Sequence, residues 1–272
     1  MKNRVLIFLG MQRSGSTLQY NIGRKIIEGK IHQSDIVVFG ALEPDSFDSF
    51  RDLVLSSKEK LILAKAHWLP EEMVQLLTSD HASFFYISRE LKDVYYSGKR
   101  KEGWDLDDFS ESIDLNLTSF SLLRETGADT LVQRYEDLMA DMPSSTLEIA
   151  RFLNIELSDQ QVNEIARSQD VNLVVASQGQ MGTWPSLRVK LRNSAKSLPP
   201  GIIHFFKRSD LICTLVKRYL GNKDYDGKSL IHVNHISESK GASGAWKGNI
   251  SEKEIQFIDE LASRSNAKLY NT

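Results

Sequence analysis

The sequence predicts an α/β fold in which helices flank a doubly wound parallel sheet. Short apolar runs alternate with segments whose apolar residues recur at helical spacing, a rhythm typical of such sheets. The first run, Val5–Leu9, is uninterrupted, as expected of a strand that is buried on both faces. It leads directly into a glycine-containing loop and then into a segment with Leu18, Ile22 and Ile26 on one helical face.

The following elements keep the same alternation. Strands are predicted at residues 5–9, 35–39, 60–65, 82–88 and 130–134. Helices are predicted after the first loop, over 45–57, from Pro70, after Arg89 and over 105–126. Capping boxes at Ser145, Ser158 and Ser251 predict three further helix starts, and the first of these helices is expected to run through Leu153.

The second half of the chain has weaker patterns. Residues 171–200 show no clear period, residues 202–220 predict a helix, and residues 221–249 predict a long loop. The single cysteine, Cys213, lies among apolar residues of the predicted helix, so we expect a small core residue. Because the sequence contains neither an internal repeat nor a low-complexity linker, residues 1–272 are predicted to form one domain.

The composition disfavours several classes of protein. The chain has 34 Lys and Arg residues against 36 Asp and Glu residues, a net charge of −2, which argues against a broad nucleic-acid or anionic-membrane surface. No apolar run is long enough to cross a bilayer, and the apolar run before the first glycine is too short for a signal peptide. These features predict a soluble, cytoplasmic protein.

The loop at residues 10–17 has the spacing of the ATP-binding P-loop, G-x-x-x-x-G-K-[ST], but Ser16 stands in place of the lysine. A loop between a strand and a helix points backbone N–H groups and the positive end of the helix dipole at a phosphate. A cation lies inside the loop instead, at Arg13. We therefore expect the loop to bind a phosphate-like group other than the γ-phosphate of ATP.

Polar side chains follow the carboxyl ends of the predicted strands, the edge at which doubly wound sheets bind their ligands. They are Arg13, Glu43, Lys65, His67 and Arg89. His67 is a candidate general base because an imidazole titrates near neutral pH, and Glu43 is its rival at the same edge.

Five stretches, taken in order, resemble the motifs of sulfotransferases that use 3′-phosphoadenosine 5′-phosphosulfate (PAPS). They are Gln12-Arg13-Ser14-Gly15-Ser16-Thr17-Leu18, Lys65-Ala66-His67-(x)2-Pro70, Tyr86-Ile87-Ser88-Arg89-(x)3-Asp93-Val94-(x)2-Ser97, Arg134-Tyr135-Glu136-Asp137-Leu138 with Phe152-Leu153, and Lys240-Gly241-(x)2-Gly244-x-Trp246-Lys247. Each stretch is weak by itself, but together they cover most of the chain. The resemblance implies the sulfotransferase fold, which is similar to that of P-loop nucleotide kinases.

The resemblance also implies roles for the matching residues. The loop residues Gln12, Arg13, Ser14, Gly15, Ser16 and Thr17 would bind the 5′-phosphosulfate of PAPS. Arg89 and Ser97 would bind its 3′-phosphate, and Lys240 with the Gly241 amide would complete that pocket. Tyr135 would pack near the adenine or shape the site, although a core tyrosine is a close alternative. Ser239 and Ala245 stand where the family has arginine and aspartate, so this side of the pocket is either weaker or uses another cation.

The implied reaction is an in-line transfer from PAPS to a hydroxyl or amine, with release of adenosine 3′,5′-bisphosphate (PAP) and without a metal. Arg13 and Lys65 would stabilise charge on the sulfuryl and leaving oxygens. His67 resembles the base of the cytosolic branch of the family, whereas Glu43 resembles the base of the protein-tyrosine and carbohydrate branches. The choice between the two bases stays open.

Two other functions also stay open. An ATP-dependent small-molecule kinase is disfavoured by the missing loop lysine, and a non-catalytic nucleotide-binding protein by the presence of Lys65, His67 and Glu43. The expected partner is a small-molecule acceptor, such as a metabolite or natural product, covered by residues 98–120 and 171–200. Nucleic-acid and membrane partners are not expected, and a homodimer stays open.

Overall fold

The computed structural model describes residues 4–57, 60–79, 82–170 and 241–264. Its strands are β1 (Val5–Leu9), β2 (Ile36–Leu42), β3 (Leu61–Ala66), β4 (Ala82–Ser88) and β5 (Asp129–Arg134). They form one parallel sheet in the order β2-β3-β1-β4-β5. The predicted parallel α/β architecture is therefore confirmed.

Helices connect and cover the strands. They are α1 (Ser16–Glu28), α2 (Phe47–Ser56), α3 (Glu71–Ser79), α4 (Leu91–Lys101), α5 (Leu106–Glu125), α6 (Tyr135–Ala140), α7 (Met142–Phe152), α8 (Asp159–Ser168) and α9 (Glu252–Arg264). The capping boxes predicted at Ser158 and Ser251 are both present, with each serine and the glutamine or glutamate three residues later satisfying each other's backbone N–H.

The central strand β1 is buried on both faces, and its alternate residues enter two different cores. Val5, Ile7 and Leu9 pack into one cluster, whereas Leu6 and Phe8 pack into the other. This division follows from the two-residue period of a strand and explains why the run is apolar throughout. Full burial of each such side chain contributes about 1.5–3 kcal/mol.

The order of the strands reverses around β1. From β1 the chain first builds one side of the sheet, with β2 and β3, and then crosses to the other side with β4 and β5. The carboxyl ends of β3, β1 and β4 are thus neighbours at the place where parallel sheets of this kind bind ligands. The segments that follow these three strands carry the candidate site.

Two of the boundaries predicted from sequence are wrong by three residues, and one helix was not predicted. β2 continues to Leu42, because a change of register between Val38 and Gly40 lets the chain rejoin β3 beyond the expected end. The helix predicted to begin at Ser145 begins at Met142, where the Asp141 carboxylate accepts a hydrogen bond from the Ser144 N–H and Pro143 occupies the first turn.

The third difference is the short helix α6, which was not predicted. It begins immediately after β5 and places Tyr135 at its first position. Several sequence predictions lie outside the described residues: the helix at 202–220 with Cys213, the irregular segment 171–200, the loop up to residue 240, and Lys240. None of the helices that the structure describes is long and apolar enough to span a membrane.

Candidate functional site

The loop between β1 and α1 is closed by its own polar groups. The hydroxyl and the backbone N–H of Ser14 both donate to the Met11 carbonyl, at 2.7 and 3.1 Å. Arg13 and Gly15 have positive φ angles of 70° and 99°, so the backbone turns back on itself before α1 begins at Ser16. Successive N–H groups in such a turn form a concave anion-binding surface.

The end of helix α1 adds to this surface. Gly15 is the N-cap residue and has no side chain with which to accept the N–H groups of the first turn. These groups, with the positive end of the helix dipole, are therefore directed at the loop. Of the other predicted loop residues, Ser14 and Ser16 are buried, whereas Gln12 and Thr17 are half-buried.

Tyr135 forms the floor of the loop. A Cβ atom on Gly15 would lie 2.3 Å from Cδ2 of Tyr135, so the backbone contacts the ring directly. The guanidinium of Arg89 also lies over the ring of Tyr135, with its carbon 4.3 Å from the ring centroid. The Tyr135 hydroxyl donates to the Gly241 carbonyl at 3.1 Å. Burial raises the pKa of the Tyr135 hydroxyl, which therefore stays protonated and can donate.

Two hydrogen bonds join the loop to the segment that follows β4. The Nε of Arg13 donates to the Ser97 hydroxyl at 3.0 Å, and an Nη of Arg89 donates to the Arg13 carbonyl at 3.0 Å. Arg89 is only 7% exposed, and its buried Nε has no hydrogen-bond acceptor within the described part of the chain. A buried N–H of this kind is costly unless a ligand accepts from it.

The charge on Arg13 is held in a partly desolvated place. Burial lowers the pKa of its guanidinium, the carboxylate of Glu102 opposes this effect, and the charge of Arg89 adds to it. Because the charge of Arg89 acts unfavourably on that of Arg13, an anion bound beside the two residues would be favourable to both. Glu102, which follows α4, belongs to no recognisable motif and was not among the predicted site residues.

Lys65 and His67 form a second group beside the loop. Nδ1 of His67 lies 2.9 Å from the Gly10 carbonyl, and Nε2 lies 3.1 Å from Nζ of Lys65. A carbonyl oxygen can only accept, so Nδ1 carries the proton and Nε2 presents its lone pair toward the lysine. Burial lowers the pKa of Lys65 to about 8, against the opposing effect of the Glu43 carboxylate.

No protein-family model matches the sequence, and no curated protein matches it. Among solved structures, the chain is similar to mouse sulfotransferase SULT7A1 complexed with PAP, with a TM-score of 0.58 and 16% identity over 97% of this chain and 85% of that one. It is also similar to retinol dehydratase in complex with androsterone and the inactive cofactor PAP (TM-score 0.52, 14% identity, 97% and 81% coverage). The complex of retinol dehydratase with retinol and PAP gives a TM-score of 0.52 and 15% identity, with 97% and 82% coverage.

The chain has the sulfotransferase fold. The sulfotransferase-like loop, Arg13, Arg89 and Ser97 lie together, as do Lys65 and His67, so the structure brings most of the sequence-predicted site residues to one edge of the sheet. Glu43 is at this edge as well, directly after β2, but its side chain is exposed. Lys240 lies outside the described residues, while its neighbour Gly241 contacts Tyr135.

Helix α5 of this sulfotransferase fold holds the segment after β3 in place. Nδ2 of Asn116 donates to the His67 carbonyl at 2.6 Å, and the Tyr86 hydroxyl donates to Oδ1 of the same asparagine at 2.6 Å. The Ser119 hydroxyl exchanges hydrogen bonds with the backbone of Leu69 at 2.8 and 3.0 Å. Both residues are buried polar groups of α5, and their spacing of three residues on a helix is the signal that sequence analysis missed.

Helix α4 anchors the last described segment of the sulfotransferase fold. The Asp93 carboxylate accepts from the backbone N–H groups of Gly244 and Trp246, at 2.7 and 3.3 Å. Farther along the helix, Tyr95 and Lys99 both donate to the Glu254 carboxylate. Burial by itself would raise the pKa of Glu254, but these bonds and those from Ser251 lower it to about 2. The segment is therefore fixed to the helix that also carries Ser97.

The described residues contain no cluster of three or more His, Cys, Asp or Glu side chains that could hold a metal ion. The cationic and N–H groups of the site are suited instead to an anionic ligand.

Proposed function

We propose that the protein transfers a sulfuryl group from PAPS to a hydroxyl or amine of a small-molecule acceptor. The observation that carries this proposal is the direct connection between the loop and the Arg89–Ser97 pair, through the side chain and the carbonyl of Arg13. ATP carries its phosphates in one chain, whereas PAPS has separate anionic groups at its 5′ and 3′ positions. Arg13 in the loop and Arg89 beside it are two connected cations, which suit the separate anionic groups of PAPS better than the single phosphate chain of ATP.

Different residues of the site would bind the two anionic groups of the donor. The Gly10–Thr17 loop and the start of α1 would hold the 5′-phosphosulfate, while Arg89 and Ser97 would hold the 3′-phosphate. The buried Nε of Arg89 has no acceptor among the described residues, and a 3′-phosphate could accept a hydrogen bond from it. The contact of Arg89 with Tyr135 would keep the guanidinium in one orientation and place an aromatic face beside the nucleotide.

In the transfer step, the acceptor oxygen or nitrogen forms a bond to sulfur while the bond from sulfur to the 5′-phosphate oxygen breaks. The proton of the acceptor goes to the base, and PAP leaves with the bonding electron pair. Arg13 and Lys65 would stabilise the charge that develops on the sulfuryl and phosphate oxygens, because both are cations held in a desolvated site.

We assign the base to His67 rather than to Glu43. The hydrogen bond from Nδ1 to the Gly10 carbonyl orients the ring and leaves Nε2 as the basic nitrogen. Lys65 donates to this nitrogen, and a sulfuryl group bound at the loop would give the lysine another acceptor. Glu43 is exposed, and we propose that it acts through Lys65, whose positive charge it favours.

A small-molecule acceptor is consistent with two of the similar structures, in which retinol dehydratase is in complex with androsterone or with retinol. We also propose that the enzyme is cytoplasmic and acts on neither nucleic acids nor membranes; its small net charge, −2, supports the second part, because such a chain lacks the excess of cations that binds anionic polymers and surfaces.

The decisive experiment measures nucleotide binding by isothermal titration calorimetry and turnover with radiolabelled PAPS. We expect PAP to bind, and we expect label to move from PAPS to at least one member of a broad panel of phenols, alcohols and amines. Binding of ATP–magnesium without binding of PAP would favour a kinase. Binding of PAP without turnover on any acceptor would favour a non-catalytic nucleotide-binding protein.

A further inference from the structure

A pocket beside Arg89 is lined mainly by one face of helix α4. Its lining residues are Arg89, Asp93, Tyr96, Ser97, Arg100, Lys101 and Ala245. Five of them belong to α4: after Asp93, the others follow three, four, seven and eight residues later, which is the spacing of a single helical face. The pocket therefore extends from the Arg89–Ser97 pair to the last turn of α4.

The last turn contributes two cations to this pocket, Arg100 and Lys101. The guanidinium of Arg100 is held by Tyr96: an Nη donates to the Tyr96 hydroxyl at 3.4 Å, and the guanidinium carbon lies 5.6 Å from the ring centroid. This contact keeps the charge on the wall of the pocket. Neither cation belongs to one of the motifs recognised in the sequence.

The acidic residue that lines the pocket, Asp93, already accepts hydrogen bonds from the backbone. Both carboxylate oxygens of Asp93 accept backbone N–H groups, from Gly244 and Trp246. Its negative charge is thereby partly compensated, which reduces its repulsion of an anion in the pocket. The remaining lining groups that carry charge are cations, and the Ser97 hydroxyl can donate to an anion or accept from Arg13.

We propose that Arg100, assisted by Lys101, binds the 3′-phosphate of the nucleotide together with Arg89 and Ser97. Arg100 is then a specificity-determining residue, because it favours a nucleotide with a 3′-phosphate over one that carries a phosphate only at the 5′ position. The identity of this phosphate rests on the proposed function. A planar guanidinium is well suited to phosphate oxygens, which it can bind through two N–H groups.

A purely structural role makes a different prediction. Cations in the last turn of a helix interact favourably with its dipole, and Arg100 lies in the last turn of α4. If that were its only role, replacing it would lower the thermal unfolding temperature of the ligand-free protein without changing the preference between nucleotides.

The test compares PAP with adenosine 5′-monophosphate, which differs from PAP only by the 3′-phosphate, on wild type, Arg100→Ala, Arg100→Lys and the control Arg124→Ala. Arg124 is an exposed cation in the last turn of α5. Affinities come from calorimetry for PAP and from displacement of PAP for the monophosphate.

We expect Arg100→Ala to lower the affinity for PAP about tenfold or more, which is the effect of losing one hydrogen bond to a charged group. The affinity for the monophosphate should change by less than about twofold. Arg100→Lys should recover part of the loss, and Arg124→Ala should change neither affinity. If Arg100→Ala is poorly folded, Lys101→Ala replaces it, with the same selective loss expected but smaller.

An equal loss of affinity for both nucleotides, or an unchanged affinity for PAP, would overturn the assignment of Arg100. Failure of the wild-type protein to bind PAP would instead contradict the proposed function, so the two failures are distinguishable.

Discussion

The Nε of Arg13 donates to the Ser97 hydroxyl at 3.0 Å, across 84 positions of the sequence. This bond ties the loop after β1 to helix α4, and Arg89 reinforces it by donating to the Arg13 carbonyl. A change at Arg13 should therefore affect both the loop and the Arg89–Ser97 end of the proposed donor site.

We predict that Arg13→Ala lowers kcat at least about 100-fold, because a cation directed at the developing charge is removed from a desolvated site. Arg13→Lys should restore part of kcat, since it keeps the charge but loses the planar fork. Turnover of radiolabelled PAPS checks both variants, with PAP affinity measured separately. Full activity of Arg13→Ala would contradict the role assigned to this residue.

The choice of base can be tested with variants that keep the local hydrogen bonds. In His67→Asn, the side-chain amide can still donate to the Gly10 carbonyl in place of Nδ1, but no basic nitrogen remains. We expect kcat to fall about 10²–10⁴-fold, the usual contribution of a general base. Glu43→Gln should lower kcat by less than about tenfold. The reverse order of the two effects would make Glu43 the base.

The pKa of Lys65 gives the reaction a basic limit. Because burial lowers this pKa from 10.5 to about 8, the ammonium group is lost as the pH rises through 8. We predict that kcat/KM falls above pH 8. Since the Glu43 carboxylate raises the lysine pKa, Glu43→Gln should move this fall to lower pH. Profiles of kcat/KM between pH 6 and pH 10 measure both effects, and a flat profile across pH 8 would be inconsistent with the role of Lys65.

Gly15 tests the contact between the loop and Tyr135. Gly15→Ala introduces a Cβ at a φ of 99° and only 2.3 Å from the tyrosine ring. We expect a loss of about 1–3 kcal/mol in the free energy of unfolding from backbone strain and more from the collision, together with loss of PAP binding.

The matched control for Gly15 is Gly127→Ala. Gly127 also has a positive φ, 65°, but an added Cβ would meet no atom of the described residues within 4 Å. We expect a loss of about 1–2 kcal/mol and unchanged PAP affinity. Urea unfolding and calorimetry on both variants separate strain from collision; equal losses would show that the contact with Tyr135 is unimportant.

Glu254 connects α9 to α4 and makes stability depend on pH. Its pKa in the folded protein is about 2, below the usual 4.5, so its contribution is complete above pH 4.5 and is lost as the pH falls toward 2. We predict that Glu254→Gln lowers the thermal unfolding temperature at pH 7 and that the difference from wild type narrows between pH 4.5 and pH 3. Gln256→Ala, an exposed change on the same helix, is the control. A difference independent of pH would exclude this ion-pair contribution.

The parallel sheet, the loop between β1 and α1, and the edge on which the candidate site lies could all be predicted from the sequence alone. This was possible because β1 is a continuous apolar run followed by glycines and a helical period, which are local signals. The order of the strands, the start of α7 at Met142 and the short helix α6 were decided by packing and by hydrogen bonds.

Which side chains meet depends on the way the elements pack, and this could not be predicted from local sequence patterns. Arg13 and Ser97, or Asn116 and the His67 carbonyl, are far apart in the sequence and come together because neighbouring parallel strands end at the same edge. The pocket-facing position of Arg100 was likewise decided by the way α4 packs beside the loop, since a cation near a helix end has the same local pattern whether it faces solvent or a ligand. Local sequence specifies the period of an element, whereas the partner of each polar group depends on distances across the fold.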